Sequence, residues 1–251
     1  MGSDLYHTAD RSVRLEAAVT SLAVIAFAYL VGLVLASLGI SVADALGVTE
    51  ATAPVVYYSV QYALLPAGFL VTVFGYHQSR ETDGLVRVHT PTLRDLGWIV
   101  LGFLVLLAAS TALEQIIGLL GVETAQNQAI LTGREHPLLF LALLPITVLL
   151  VAPGEELLFR GLVQGKFRQA YGSVPAVVIA SLLFGLSHSG ALSGAGTVTY
   201  LAVATVLGLI LGAVYEHTES ILVPVGIHAA WNVSIYLGQW LQAVYGLSLL
   251  G

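Results

Sequence analysis

The stretch Val151-Ala152-Pro153-Gly154-Glu155-Glu156-Leu157-Leu158-Phe159-Arg160-Gly161 places two adjacent carboxylates in a run that is otherwise mostly apolar. The segments around it are long enough to cross a bilayer. An ionisable side chain at membrane depth costs roughly 2.5–3.5 kcal/mol even on the gentlest insertion scale, so such groups are rare unless they act. The fold therefore reads as a membrane bundle, and Glu155 and Glu156 read as the start of its functional site.

Composition agrees with the membrane reading. Hydrophobic residues make up 57% of the 251-residue chain and charged residues only 10%, against about 25% charged in a soluble domain. Mean hydropathy is +0.88. The length suits a single integral-membrane domain over 1–251, with a motif-bearing core over about 137–244. The absence of cysteine excludes disulfides, thiolate metal sites and cysteine nucleophiles. No basic run is present despite the net charge of −6, so nucleic acid is not an expected partner.

Seven candidate spans follow, over 17–38, 54–76, 96–120, 137–159, 174–190, 197–215 and 221–244, most of them meeting the requirement of about 20 apolar residues. The expected fold class is thus an all-α polytopic membrane protein with its site between the fourth, fifth and last spans. Placing the N-terminus inside puts Arg11, Arg14, Arg80, Arg87, Arg94, Arg160, Lys166 and Arg168 in inside loops and only Arg134 outside. That is a strong positive-inside bias. It predicts a cell-membrane protein with a cytoplasmic N-terminus. The polar segment 122–136 reads as a short helix on the outer surface.

Depth arithmetic gathers the site. Nothing firmly stops a helix between 154 and 171, and a turn falls at Gly172-Ser173-Val174-Pro175. Glu155 lies 18 residues before Ser173 and His188 lies 15 after it, climbs of roughly 27 and 22 Å at about 1.5 Å per residue. The two side chains arrive at similar depth. His228, 8 residues past Ser220, reaches them if the long helix protrudes from the membrane. Pro153 and Gly154 predict a helix break just above Glu155.

Local spacing suggests roles. Glu156 and Arg160 are i,i+4 with the acid first, the favourable order for an ion pair. Glu155 points about 100° away around the helix and is left free for proton transfer. Phe184 and His188 are i,i+4, and so are His228 and Asn232, which present two polar heads to one spot. Each histidine taken alone reads as a satisfied core residue. Together with Glu155 at reachable depth they read as a site, with His228 and Asn232 able to stabilise an oxyanion. No His-Glu-x-x-His or Gly-x-Ser-x-Gly pattern occurs. Ser187 beside His188 is not read as a nucleophile, because neighbouring helix positions point apart.

These pieces resemble the CPBP family, the CAAX protease and bacteriocin-processing group of intramembrane proteases, also called the Abi family. Its Glu-Glu-x-x-x-Arg motif stands here as Glu155, Glu156 and Arg160. Its Phe-x-x-x-His motif stands as Phe184 and His188, and its His-x-x-x-Asn motif as His228 and Asn232. The resemblance covers about 153–233 and leaves the N-terminal half matched by hydrophobicity alone. It implies a membrane endopeptidase with its site open toward the cytoplasm, in which Glu155 is the catalytic carboxylate, His188 helps activate water, and His228 with Asn232 supports the oxyanion. Glu156, Arg160 and Phe184 would support the site's structure and charge. The family is often labelled metalloprotease, yet its best-studied prenyl-protein members look like glutamate proteases without metal. Glu155, His188 and His228 could bind a divalent metal such as zinc, and both chemistries stay open. Prenyl-protein members usually show eight spans, against the seven expected here, a departure that bears on substrate class. The implied partners are the lipid bilayer and a membrane-anchored peptide or protein, lipidated or not.

Two readings of another class stand beside this one. One is a non-catalytic scaffold or immunity protein of the same fold, against which every motif position is still occupied. The other is a proton or ion carrier using Glu155, His188 and His228 as a relay. Against it, the sequence shows neither repeat symmetry nor polar residues continuing through the outer half.

Overall fold

The computed structural model describes residues 5–79 and 84–247. Arg80, counted above among the inside basic residues, lies outside the described residues. The helices are α1 (Arg11–Ala45), α2 (Pro54–Ser79), α3 (Leu93–Leu120), α4 (Gln128–Glu135), α5 (Leu138–Tyr171), α6 (Ser173–Ser187), α7 (Thr197–Thr218) and α8 (Leu222–Tyr245). Two short strands, β1 (Gln126–Asn127) and β2 (Leu192–Ser193), pair antiparallel. The fold is all-α and polytopic, as expected.

Six of these helices, α1, α2, α3, α5, α7 and α6 with its last turn, are long and apolar enough to cross a membrane. The seventh expected span forms as α8, but its Gly, His, Trp, Asn and Gln side chains keep it out of that apolar set. The short helix expected within 122–136 is α4.

The helices turn their large apolar side chains outward. Along α1, Ala17, Ser21, Val24, Ala28, Gly32 and Ala36 are buried, while Leu22, Phe27, Leu30, Leu33 and Leu38 are exposed. Small residues inside and large apolar ones outside is the pattern of helices that pack on each other and face lipid. At the α1–α2 crossing a Cβ on Gly68 would sit 2.3 Å from the Gly32 backbone, whereas one on Gly75 would meet nothing within 4 Å. Gly68→Ala should therefore lower stability by about 1–3 kcal/mol through overpacking. Gly75→Ala should leave the thermal unfolding midpoint near wild type, and scanning both variants in detergent checks the contrast.

The expected break at Pro153-Gly154 does not occur. Helix α5 runs unbroken from Leu138 to Tyr171, with two π-helical stretches, Thr147–Val151 and Leu157–Gln164. Proline lacks an N–H and its ring crowds the carbonyl one turn back. Widening the helix just before Pro153 moves those carbonyls aside, and the residues around it keep right-handed helical angles. Gly154 then lets α5 press against the Pro66 carbonyl of α2. Arg160 also departs from its reading as a loop residue. It is fully buried inside α5 and belongs to the core.

The turn after α5 falls at Gly172, whose φ of 88° suits a residue without Cβ. His7 and Ala9 donate backbone hydrogen bonds to Tyr171 and Ala170 there.

Candidate active site

Two buried groups fix the centre of the site. The Glu156 and Arg160 side chains are both fully buried, and their Oε2 and Nε atoms lie 3.2 Å apart, as the i,i+4 spacing predicts. Arg160 also donates to the Gly208 carbonyl at 3.2 Å and stacks over the Phe184 ring at 4.2 Å. Phe184 thus supports the cation as well as holding its place in the Phe-x-x-x-His spacing. Gly208 and the small residues of α7 bring the helix close enough for that bond.

His228 takes a different partner from the one expected. Its Nδ1 donates to Glu156 Oε1 at 2.8 Å, and its Nε2 lies 3.9 Å from Glu155 Oε2. The imidazole is therefore bonded to Glu156 and stands beside Glu155 without a hydrogen bond to it. Asn232 shares its helix face but donates its amide to Thr147 Oγ1 at 3.0 Å. The reading of His228 and Asn232 as a free donor pair is corrected accordingly. One donor of each is already committed, and π-helical widening aims Thr147 inward to receive Asn232. His228 Nε2 remains the nitrogen beside Glu155.

His188 sits just past the end of α6. Its Nδ1 donates to the Phe184 carbonyl at 2.8 Å, which leaves Nε2 as the other ring nitrogen. The Ser187 hydroxyl donates to the same carbonyl at 2.7 Å, consistent with its exclusion as a nucleophile. Tyr29 of α1 donates to the Ser187 carbonyl at 2.9 Å and so ties down the end of the helix that carries His188. Tyr29→Phe should reduce kcat by several-fold, the loss of one hydrogen bond of about 0.5–1.5 kcal/mol, with KM little changed. Steady-state kinetics on a cleaved peptide reads this split.

Glu155, His188, His228 and Asn232 all line one cavity of about 490 Å³, together with Tyr29, Tyr62, Tyr200, Tyr236, Asn127 and Thr147. The hairpin arithmetic thus brought to one depth residues that line a single cavity. The tyrosines were missed, since each is a single aromatic in an apolar helix with no spacing to mark it. They also correct the expectation that polar residues stop short of the outer half. Hydroxyl and amide groups continue there, with Asn127 facing Tyr200 Oη at 3.5 Å.

A second polar series runs the other way. Gln164, one turn past Arg160 and fully buried, donates to the Gly212 carbonyl at 3.2 Å and to Glu216 at 2.7 Å. Glu216 in turn pairs with Arg87 at 2.8 Å. The spacing Glu156, Arg160, Gln164 repeats every four residues and was legible in the sequence as one polar stripe.

The mouth of the cavity and the N-terminus lie at different ends of the bundle. The N-terminal residues His7 and Ala9, the 84–92 segment, and the ends of α5 and α7 lie together at one end of the bundle, tied by bonds to Tyr171, Ala170, Glu216 and Thr218. The cavity instead reaches the surface at exposed Gly190 and Ala191 and beside Asn127, at the other end, and sideways at exposed Leu33, in the half of α1 that leads to that end. N-terminus and mouth therefore cannot share a side, as first expected. The climbs of roughly 27 and 22 Å from the turn already carry the site most of the way across a hydrocarbon core of about 30 Å.

Glu155, His188 and His228 do not form a ligand set. Among the described residues no group of three or more His, Asp or Glu side chains is arranged to hold a metal ion.

Carboxylates and imidazoles are thus gathered around an internal cavity of a helical membrane bundle. Residues 137–234 match the family described as Rce1-like, Type II CAAX prenyl endopeptidase Rce1-like. The matched residues hold all three motifs, so over that stretch the chain is similar to CAAX-type intramembrane proteases, and its six long apolar helices fit an integral membrane protein. Comparison with curated proteins gives no match, and neither does comparison with solved structures.

Proposed function

We propose that this protein is an intramembrane endopeptidase. It hydrolyses a peptide bond near the C-terminus or in the membrane-proximal part of a membrane-associated protein. The observation that carries the reading is the cavity in which Glu155 faces His228 Nε2 at 3.9 Å while His228 Nδ1 is held by the buried Glu156.

The mechanism uses these residues in order. Glu155 takes a proton from water, and the hydroxide attacks the peptide carbonyl. His188, fixed through Nδ1, positions the water and shares the proton through Nε2. As an imidazolium held by the Glu156 carboxylate, His228 donates through Nε2 to the developing oxyanion, with Asn232 beside it holding the wall of the site through Thr147. One well-placed donor of this kind supplies about 2.7–4 kcal/mol of transition-state stabilisation. The tetrahedral intermediate then collapses, and the proton passes to the leaving amine. Glu156 and Arg160 fix His228 and balance charge.

The test is purified protein on a panel of membrane-anchored peptides, lipidated and unlipidated, with and without chelator. Cleavage of an anchored peptide supports the reading, and chelator sensitivity would assign the water activation to a metal. The polar series from the cavity through Gln164 to Glu216 favours one second reading, a proton path. Proton flux in liposomes without cleavage of any peptide would favour it.

A further inference from the structure

Two features of the molecule are polarised along the same axis. The first is positive charge. Arg11, Arg14, Arg87, Arg94, Lys166 and Arg168 belong to one end of the bundle. Contacts hold that end together: Lys166 pairs with Glu16 at 3.0 Å, Arg87 with Glu216 at 2.8 Å, and Arg168 donates to the Gly84 carbonyl at 2.7 Å. Among the described residues the other end holds only Arg134, bonded to Gln126 and Gln239. Arg160 is buried between the ends and does not count for either. The second feature is the mouth. The catalytic cavity opens by Asn127, Gly190 and Ala191, at the end that holds Arg134.

Short loops with an excess of Lys and Arg stay on the cytoplasmic side. Six against one is a large bias, and every connecting segment here is far shorter than the length beyond which the rule fails. We infer that the cavity opens on the extracytoplasmic face of the membrane. This rests on the peptidase reading above and narrows its substrates to membrane-anchored polypeptides whose scissile segment is exposed outside the cytoplasm. A protein lipidated at a cytoplasmic C-terminus does not reach this mouth. The cytoplasmic end is closed over the site by the buried Glu156, Arg160 and Gln164 and by their bonds to the α7 backbone.

The chain contains no cysteine, so each introduced cysteine is the sole label site in the full-length protein. Leu46→Cys, at a position 77% exposed, and Ala191→Cys report the mouth end. Val88→Cys and Leu93→Cys, at positions 61% and 87% exposed, report the basic end. A membrane-impermeant maleimide applied to intact cells should label the first two, and the last two only after permeabilisation. All four lie on the surface, and unchanged melting midpoints verify folding. Labelling of Val88→Cys and Leu93→Cys in intact cells, with protection of Leu46→Cys and Ala191→Cys, overturns the orientation. A second arm places one anchored peptide in sealed vesicles with its scissile segment on either side. Cleavage only on the side where Leu46→Cys is labelled supports the inference, and cleavage only on the opposite side overturns it. The expected labelling with cleavage on neither side would count against the peptidase reading and leave the orientation standing.

Discussion

Glu155→Gln should lower kcat by about 10²–10⁴-fold, the contribution of a positioned general base, while the protein keeps its fold. The substitution is nearly isosteric, and the Glu155 side chain is 17% exposed at the cavity wall, not locked in the core. Its Oε2 has no hydrogen-bond partner within the protein, so the amide breaks no bond at that atom. KM should change little, because the proton is moved in the transition state and ground-state contacts are kept. A fall in melting midpoint matching the loss of activity would instead make Glu155 a structural residue.

Arg160→Met should have the largest effect on stability, a loss of about 3–5 kcal/mol. That is the range for removing one partner of a buried ion pair and leaving the other charge uncompensated. The abandoned group is Glu156, fully buried and then held only by His228. The bond to the Gly208 carbonyl and the stacking on Phe184 go at the same time. The double replacement Glu156→Leu with Arg160→Met should recover part of the lost stability, since an apolar pair of similar volume carries no stranded charge. It should remain inactive, because His228 loses the carboxylate that orients it. Thermal unfolding of the three variants in detergent, beside peptide cleavage, separates the two roles. A loss below about 1 kcal/mol for Arg160→Met would mean the pair is solvated, contrary to its burial.

Much of this arrangement is legible in the sequence because a bilayer restricts the alternatives. Long apolar runs had to become helices, and turn positions such as Gly172-Ser173 set the depth of everything after them. That is why Glu155, His188 and His228 could be brought to one cavity from residue counts and a rise per residue. The Glu156–Arg160 pair followed from spacing within one helix. Contacts between helices were harder, because they depend on rotation about each axis, which counting does not fix. His228 therefore emerged as bonded to Glu156 and standing beside Glu155, and Asn232 as the partner of Thr147. Pro153 misled for a local reason: a π-helical widening accommodates it without a break, and proline alone does not signal which outcome applies. The climb from Gly172 places the site near the far end of the bundle, where Gly190 and Ala191 line the cavity. Tyr29, Tyr62, Tyr200 and Tyr236 converge only in three dimensions.

The measurement that bears most directly on the central claim is mass spectrometry of an anchored peptide incubated in ¹⁸O-water with wild type and with Glu155→Gln. Wild type should yield two fragments with ¹⁸O in the new C-terminal carboxylate, and Glu155→Gln should leave the peptide intact over the same interval. Fragments produced by folded Glu155→Gln at the wild-type rate would contradict the account.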